Sequence, residues 1–554
     1  MGTATTLFVG LPELLRCVAE VTRSRKQLAN LRLVNRAFHA EATFVLFRDF
    51  DLHVELSSRV SLQENSAHLS HARRLSVTPG WCFDTEAQNE RIQNMVAKMP
   101  RLESFEYVIL SSISTAAKLT KALWFRCRDI PLTTDTLKVL KVSCPRIKAI
   151  HIAFPSGMET TARWDRLKAP GVPVYPGYRQ IPEIYKRPDV AMFSRLEELT
   201  LEWLFHDLVW WKSQVVRLLT NSPGLRKLHL SISPWQPDIF RDFLDSVCDE
   251  YGQAGALPLR LRSLKCGISV YPRNITLLNK LTNLAYLEEV YVANQIGRLG
   301  AYNAYAAFTE PSRVAYHAFG PAHSPNLRRF STAAYRPEVQ AFLCAINDTS
   351  FARQLAISCG EQTSQNLELA ALLRPSHRHV AAHFRMLDIE LQREVMTLRE
   401  DDNDNGDCDD DDDDDDDDEY PIESVLQDLV TDDGGALEGL MVRVPENPEH
   451  ECGFDDLELL EGAVAKLVNL TQLAVAVGDF ADVRGLDVTE EMLVRAAERL
   501  AVAAPRLRYV KLCSQHYRIW RNEDDTIRLD ELDDDEISDV ELFNHSNYLP
   551  KLSY

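Results

Sequence analysis

Residues 223–230, Pro223-Gly-Leu225-Arg-Lys-Leu228-His-Leu230, carry the pattern that decides how the chain folds. A proline that cannot continue a helix is followed by L-x-x-L-x-L. Residues two apart on a strand share a face, so the segment reads as a helix stop leading into a short strand with one apolar side. The stretch before it, Val215–Leu219, is amphipathic and helix-like. The same form recurs on both sides. Earlier copies are Pro100-Arg-Leu102-Glu-Ser-Phe105-Glu-Tyr107, Pro145-Arg-Ile147-Lys-Ala-Ile150-His-Ile152 and Leu196-Glu-Glu-Leu199-Thr-Leu201. Later ones are Pro325-Asn-Leu327-Arg-Arg-Phe330 and Pro505-Arg-Leu507-Arg-Tyr-Val510-Lys-Leu512. Weaker copies begin at Leu261, Leu287 and Leu470, and helix-like segments Ile92–Met99 and Met492–Val502 precede two of the prolines.

Helix, stop and strand make one unit. The starts at Leu196, Leu225, Leu261, Leu287 and Leu327 lie 29, 36, 26 and 40 residues apart. So irregular a period resembles degenerate leucine-rich repeats, which implies an α/β fold in which each unit adds a parallel strand to a sheet backed by helices. The asparagine of regular repeats is missing; Ser233 stands three places after Leu230. The alternative is the αβ unit of a doubly wound sheet, against which nine copies of one pattern weigh. Charged x positions would face solvent on the concave side, which marks Glu197, Glu198, Arg226, Lys227 and Arg328 as candidate partner contacts by geometry.

Two segments depart from the pattern. Residues 154–190 are rich in proline, glycine and tyrosine and read as an insertion. Residues 399–421 contain ten consecutive aspartates, Asp409 to Asp418, and are expected to be disordered. The pattern resumes over 422–522, and 523–554 reads as an acidic tail, also expected to be disordered, although Ile527, Leu529, Leu532, Ile537, Val540 and Leu542 would let parts of it dock. These segments explain the net charge of −21: residues 400–419 hold 16 acidic side chains and 523–541 a net of −10, leaving +5 elsewhere. Eleven cysteines without a C-x-x-C pair read as reduced thiols of a cytoplasmic or nuclear protein. No signal peptide or membrane span is expected.

No catalytic constellation emerges: the sequence lacks a P-loop, G-x-G-x-x-G, G-x-S-x-G and H-E-x-x-H. His379 and His383 share helical spacing with His377 nearby, but Arg374, Arg378 and Arg385 make a solvated basic face the plainer reading. The aspartate run lacks the turn glycine and alternating ligands of a calcium loop. Trp203, Trp210 and Trp211 read as core or cap. No catalytic residue, metal or cofactor is expected.

The N-terminal run reads Leu11-Pro-Glu-Leu-Leu15, then Leu28-Ala-Asn-Leu-Arg-Leu-Val-Asn-Arg-Ala-Phe38, then Leu46-Phe-Arg48. Apolar residues recur at helical spacing through it, Pro12 suits a first turn, and Ser24 with Gln27 fits a capping box. Residues 11–50, after a leader at 1–10, resemble an F-box as found in proteins of filamentous fungi, with one residue lost between Pro12 and Glu13. The resemblance implies a three-helix hook that docks on the Skp adaptor of a cullin–RING (SCF) ubiquitin ligase. Carried over, Leu11, Pro12, Leu14, Leu15, Leu28, Leu31 and Val34 would contact the adaptor, while Phe38, Leu46 and Phe47 hold the hook together. The array over 51–398 and 422–522 would then bind a protein substrate, without catalysis by this chain. Two alternatives remain: the helices merely cap the array, or the chain is a scaffold binding basic proteins through its acidic segments.

Overall fold

The computed structural model describes residues 12–22, 25–54, 67–79, 85–107, 132–153, 189–204, 208–232, 237–266, 275–292, 319–332, 346, 349–359, 384–390, 437–444, 456–477, 490–512, 515–522, 526–532, 534–537, 540 and 542. It is a mixed α/β protein in which mostly parallel strands dominate. Two compact units divide it, one within Met1–Asn326 and the other within Leu327–Leu549. Residues 154–188, the aspartate run, the histidine group at 377–383 and Ser233 lie outside the described residues.

The first unit opens with three short helices, α1 (Pro12–Val21), α2 (Arg25–Leu31) and α3 (Arg36–Leu46). Eight strands follow: β1 (Asp49–Val54), β2 (Arg74–Pro79), β3 (Ser104–Tyr107), β4 (Ala149–Ala153), β5 (Glu198–Leu204), β6 (Lys227–Ile232), β7 (Ser263–Cys266) and β8 (Glu289–Val292). Each pairs in parallel with the next. Register is set by the apolar pattern, because slipping one residue would turn every core side chain to the wrong face. Leu75, Phe105, Ile150, Leu199, Leu228, Leu264 and Val290 thus fall in line and are all buried. A second buried row runs from Val77 through Tyr107, Ile152, Leu201 and Leu230 to Cys266. Helices cover this side; Leu208–Thr220 packs on Pro237–Gln253, which packs on Ile275–Leu281.

The strand starts share one device. The carbonyl of Arg48 accepts the N–H of both Arg73 and Arg74, and the carbonyls of Arg73, Glu103, Lys148, Glu197, Arg226 and Arg262 repeat this for the next strand in turn. Backbone donors that would be orphaned at a strand's first residues are thereby satisfied. The residue before each proline stop is buried: Met99, Cys144, Ser222, Ser324 and Ala504. Ser222 Oγ accepts the Leu196 N–H at 3.1 Å, and the Cys144 thiol donates to the Met99 carbonyl at 3.4 Å, so these positions also tie neighbouring units together.

The second unit contains β9 (Arg329–Thr332), β10 (Ala356–Cys359), β11 (Met386–Glu390), β12 (Gly439–Val444), β13 (Gln472–Val477) and β14 (Tyr509–Leu512), paired in parallel in that order. Helices Asp456–Lys466 and Glu490–Ala503 pack together beside them. The pairing then reverses: β15 (Gln515–Arg521) and β16 (Ile527–Glu531) add antiparallel strands. Residues 515–521 are therefore not a further parallel unit. In the acidic tail, Ile527–Glu531 forms a strand and Leu532, Val540 and Leu542 are buried, so these parts dock through the apolar residues expected to do so and are not disordered. The strand's alternating Ile527 and Leu529, both half-buried, supply the reason, since a strand with one apolar side can be held at an edge.

Candidate functional site

The three helices close a small core of Ala19, Leu28 and Ala42, with Leu31, Val45 and Leu46 packed against it. Asn35 caps α3 by accepting the Phe38 N–H at 2.9 Å, which splits the helical run into separate helices at residues 32–35. Arg16 Nε binds Glu41 Oε2 at 2.8 Å and joins α1 to α3. Phe44 lies between the guanidinium groups of Arg16 and Arg73, 4.8 and 5.0 Å from its ring centre. Phe47 stacks on His68 at 4.1 Å. Burial, followed by the nearby Arg32 charge, holds the His68 pKa below the usual histidine value. Since Arg73 and His68 flank the start of β2, the helical hook is seated directly on the sheet, with α3 running into β1.

What this hook leaves outside is apolar. Leu14 is 41% exposed, Val21 78%, Leu33 83% and Val34 61%. Leu14 and Val21 lie seven apart on one face of α1, whereas Leu15 and Ala19 turn inward. The residues expected to meet an adaptor therefore divide. Leu14 and Val34 are exposed, Leu31 is half-buried, Leu15 and Leu28 are buried, Pro12 opens α1, and Leu11 lies outside the described residues. Leu33 was not in that set. It sits in the turn between α2 and α3, just ahead of the capping Asn35.

A second group of side chains lies on the opposite face of the sheet from the helices. The x positions between the two buried rows line up as Ser76, Glu106, His151, Thr200, His229, Lys265 and Tyr291. His151 Nδ1 is 3.0 Å from Glu106 Oε1, and its Nε2 is 3.7 Å from Glu202 Oε1. His229 Nδ1 reaches the same Glu202 oxygen at 3.2 Å, and Lys265 Nζ sits 4.6 Å above the Tyr291 ring centre. Burial opposes a charge on His151, but the two glutamates outweigh it and lift its pKa to about 9. Burial would raise Glu202, yet the neighbouring His151 and the positive charge around it hold it at about 2. His229 is pushed well below the usual histidine value by burial and then by Lys265. The row thus holds a protonated imidazole between two carboxylates, beside a neutral imidazole and a lysine.

The other charged x positions mark the strand starts. Glu197 pairs with Lys148 at 2.8 Å and Glu198 with Lys227 at 2.9 Å, while Arg226 is exposed and Arg328 lends its carbonyl to Ala356. Burial pushes the thiols of Cys144 and Cys266 up to about 12, far from thiolate reactivity. Among the described residues no group of three or more His, Cys, Asp or Glu side chains is arranged to hold a metal ion, and no helix is long and apolar enough to cross a membrane. In comparison with known proteins, no family model matches the chain and no curated protein matches it.

Proposed function

We propose that the chain is a substrate-recruiting subunit of an SCF-type ubiquitin ligase, an F-box protein with degenerate leucine-rich repeats. Its hook docks on the Skp adaptor, and its strand ladder binds a protein substrate. The observation that carries this reading is the helical hook, which closes its own core and keeps Leu14, Val21, Leu33 and Val34 in water. Four exposed aliphatic side chains on so small a body favour an interaction surface over an end cap. Catalysis would be by positioning: the bound substrate's lysines are held near a ubiquitin-charged enzyme elsewhere in the assembly, at raised effective concentration.

The test is co-purification with the Skp adaptor. Wild-type chain is expected to bind, and Leu14→Asp with Val34→Asp to abolish binding while leaving the circular dichroism spectrum unchanged. Leu31→Asp and Pro12→Ala complete the series. A well-folded wild-type chain that fails to capture the adaptor defeats the proposal.

A further inference from the structure

The face of β12–β14 that looks away from the helices differs from the matching face of β3–β7. Where Glu106, His151 and His229 stand in the first unit, the second has Met441 and Ala474, both buried. What buries them is the chain's own acidic C-terminal segment: Leu532, Val540 and Leu542 close over Met441 and Ala474, with Ile537 and Tyr509 packed alongside. Three features of this seat are those of a peptide-binding surface. Gln472 Oε1 accepts the backbone N–H of Leu542 at 2.8 Å, a contact any residue at that place can make. Gly439 adjoins the segment: a Cβ there would stand 3.1 Å from Met386 Cγ and in ordinary contact, 3.6 Å, with Leu542 Cδ1. The acidity of the segment is met from a neighbouring strand, where Arg518 binds Glu536 at 3.2 Å.

We propose that this face is a docking surface for an acidic protein segment bearing two aliphatic anchors two residues apart, and that the chain's own Leu532, Ile537, Val540 and Leu542 occupy it in cis. Apolar anchors supply contact with Met441 and Ala474, the glutamine reads main chain, and Arg518 selects for an acidic flank. A partner segment of the same chemistry competes with the tail, whose tether gives it a high local concentration. The inference rests on the reading above only in calling such a partner a substrate.

The test uses the full chain and a labelled peptide of residues 532–545, with no adaptor present, so its outcome is separate from that of the hook. The peptide is expected to bind the double variant Val540→Asp, Leu542→Asp at least tenfold more tightly than wild type. Adding Met441→Asp or Gln472→Ala is expected to remove that gain, which locates the site. Equal binding to wild type and double variant overturns the proposal. So does a double variant that loses its cooperative thermal transition, because the segment would then be core rather than ligand.

Discussion

Single side chains carry the joints between units. Ser222 is buried and its hydroxyl accepts the Leu196 N–H, so Ser222→Ala leaves a buried donor without its partner. Such a loss costs about 1–3 kcal/mol, and urea unfolding followed by circular dichroism is expected to show a fall in unfolding free energy of that size. The proline beside it was plain in the sequence, but the buried small residue before the proline was not. Its role depends on a chain segment 26 residues away. Asn35 is the counter-example: an N-cap asparagine is a local signal, and it was missed because the apolar spacing from Leu28 to Ala42 runs through it unbroken. Asn35→Ala is expected to destabilise the hook by about 1 kcal/mol. The same scale separates two adjacent leucines. Leu15→Asp, at a buried site, is expected to unfold the hook, whereas Leu14→Asp is expected to leave its melting unchanged and act only on binding.

At the scale of elements, the nine quoted segments all coincide with strands, β3 to β9, β13 and β14. Those not picked out lack the proline or the leading leucine. β2 starts from Ala72, β10 has Gln354 where the first apolar residue belongs, and β11 starts from Phe384. β12 keeps Leu437-Glu-Gly-Leu440-Met-Val442 but has no proline before it. The polar row could not be seen at all. Glu106, His151 and His229 are each an unremarkable x between two apolar residues, brought together only by register. Its energetics are testable by pH. His151 has a raised pKa in the folded chain, so its contribution is fully present below pH 6.5 and is lost as the pH rises through about 9. Glu202 is depressed, so its contribution is present above 4.5 and fades as the pH falls toward about 2. Replacing His151 by Gln leaves two carboxylates facing each other without the cation. The loss in urea-unfolding free energy is expected to be roughly 1–3 kcal/mol near pH 6 and much smaller at pH 10. A loss that grows with pH would refute the assignment of a charged imidazole.

For the molecule as a whole, charge is distributed by segment rather than spread evenly. Deleting residues 400–419 removes 16 acidic side chains and no aliphatic or aromatic one, taking the formal charge from −21 to −5. The deletion is expected to leave the urea midpoint unchanged while weakening any salt-sensitive binding to basic proteins such as histones. Binding that survives the deletion would remove the scaffold alternative. The rest of the surface is self-neutralised at the strand starts, where Arg74 faces Asp49, Arg73 faces Glu103, Lys148 faces Glu197 and Arg262 faces Glu288 at 2.8–3.8 Å. Exposed pairs of this kind add little stability each, but they fix which neighbour a strand accepts.

The reversal of direction after β14 has a further bearing. A ladder of parallel strands ends in a row of free N–H and C=O groups, which is a template for pairing with another chain. Here the last parallel strand is sealed by a hairpin partner, and β16, beyond it, carries Arg528, Asp530 and Glu531 among its five residues. Charged side chains on an outermost strand discourage edge-to-edge growth, so this ending acts as a guard against fibre formation. A chain cut short before Thr526 would expose Gln515–Arg521 in its place, with Tyr517, Ile519 and Trp520 in one strand, and would be prone to self-association at concentrations the intact protein tolerates.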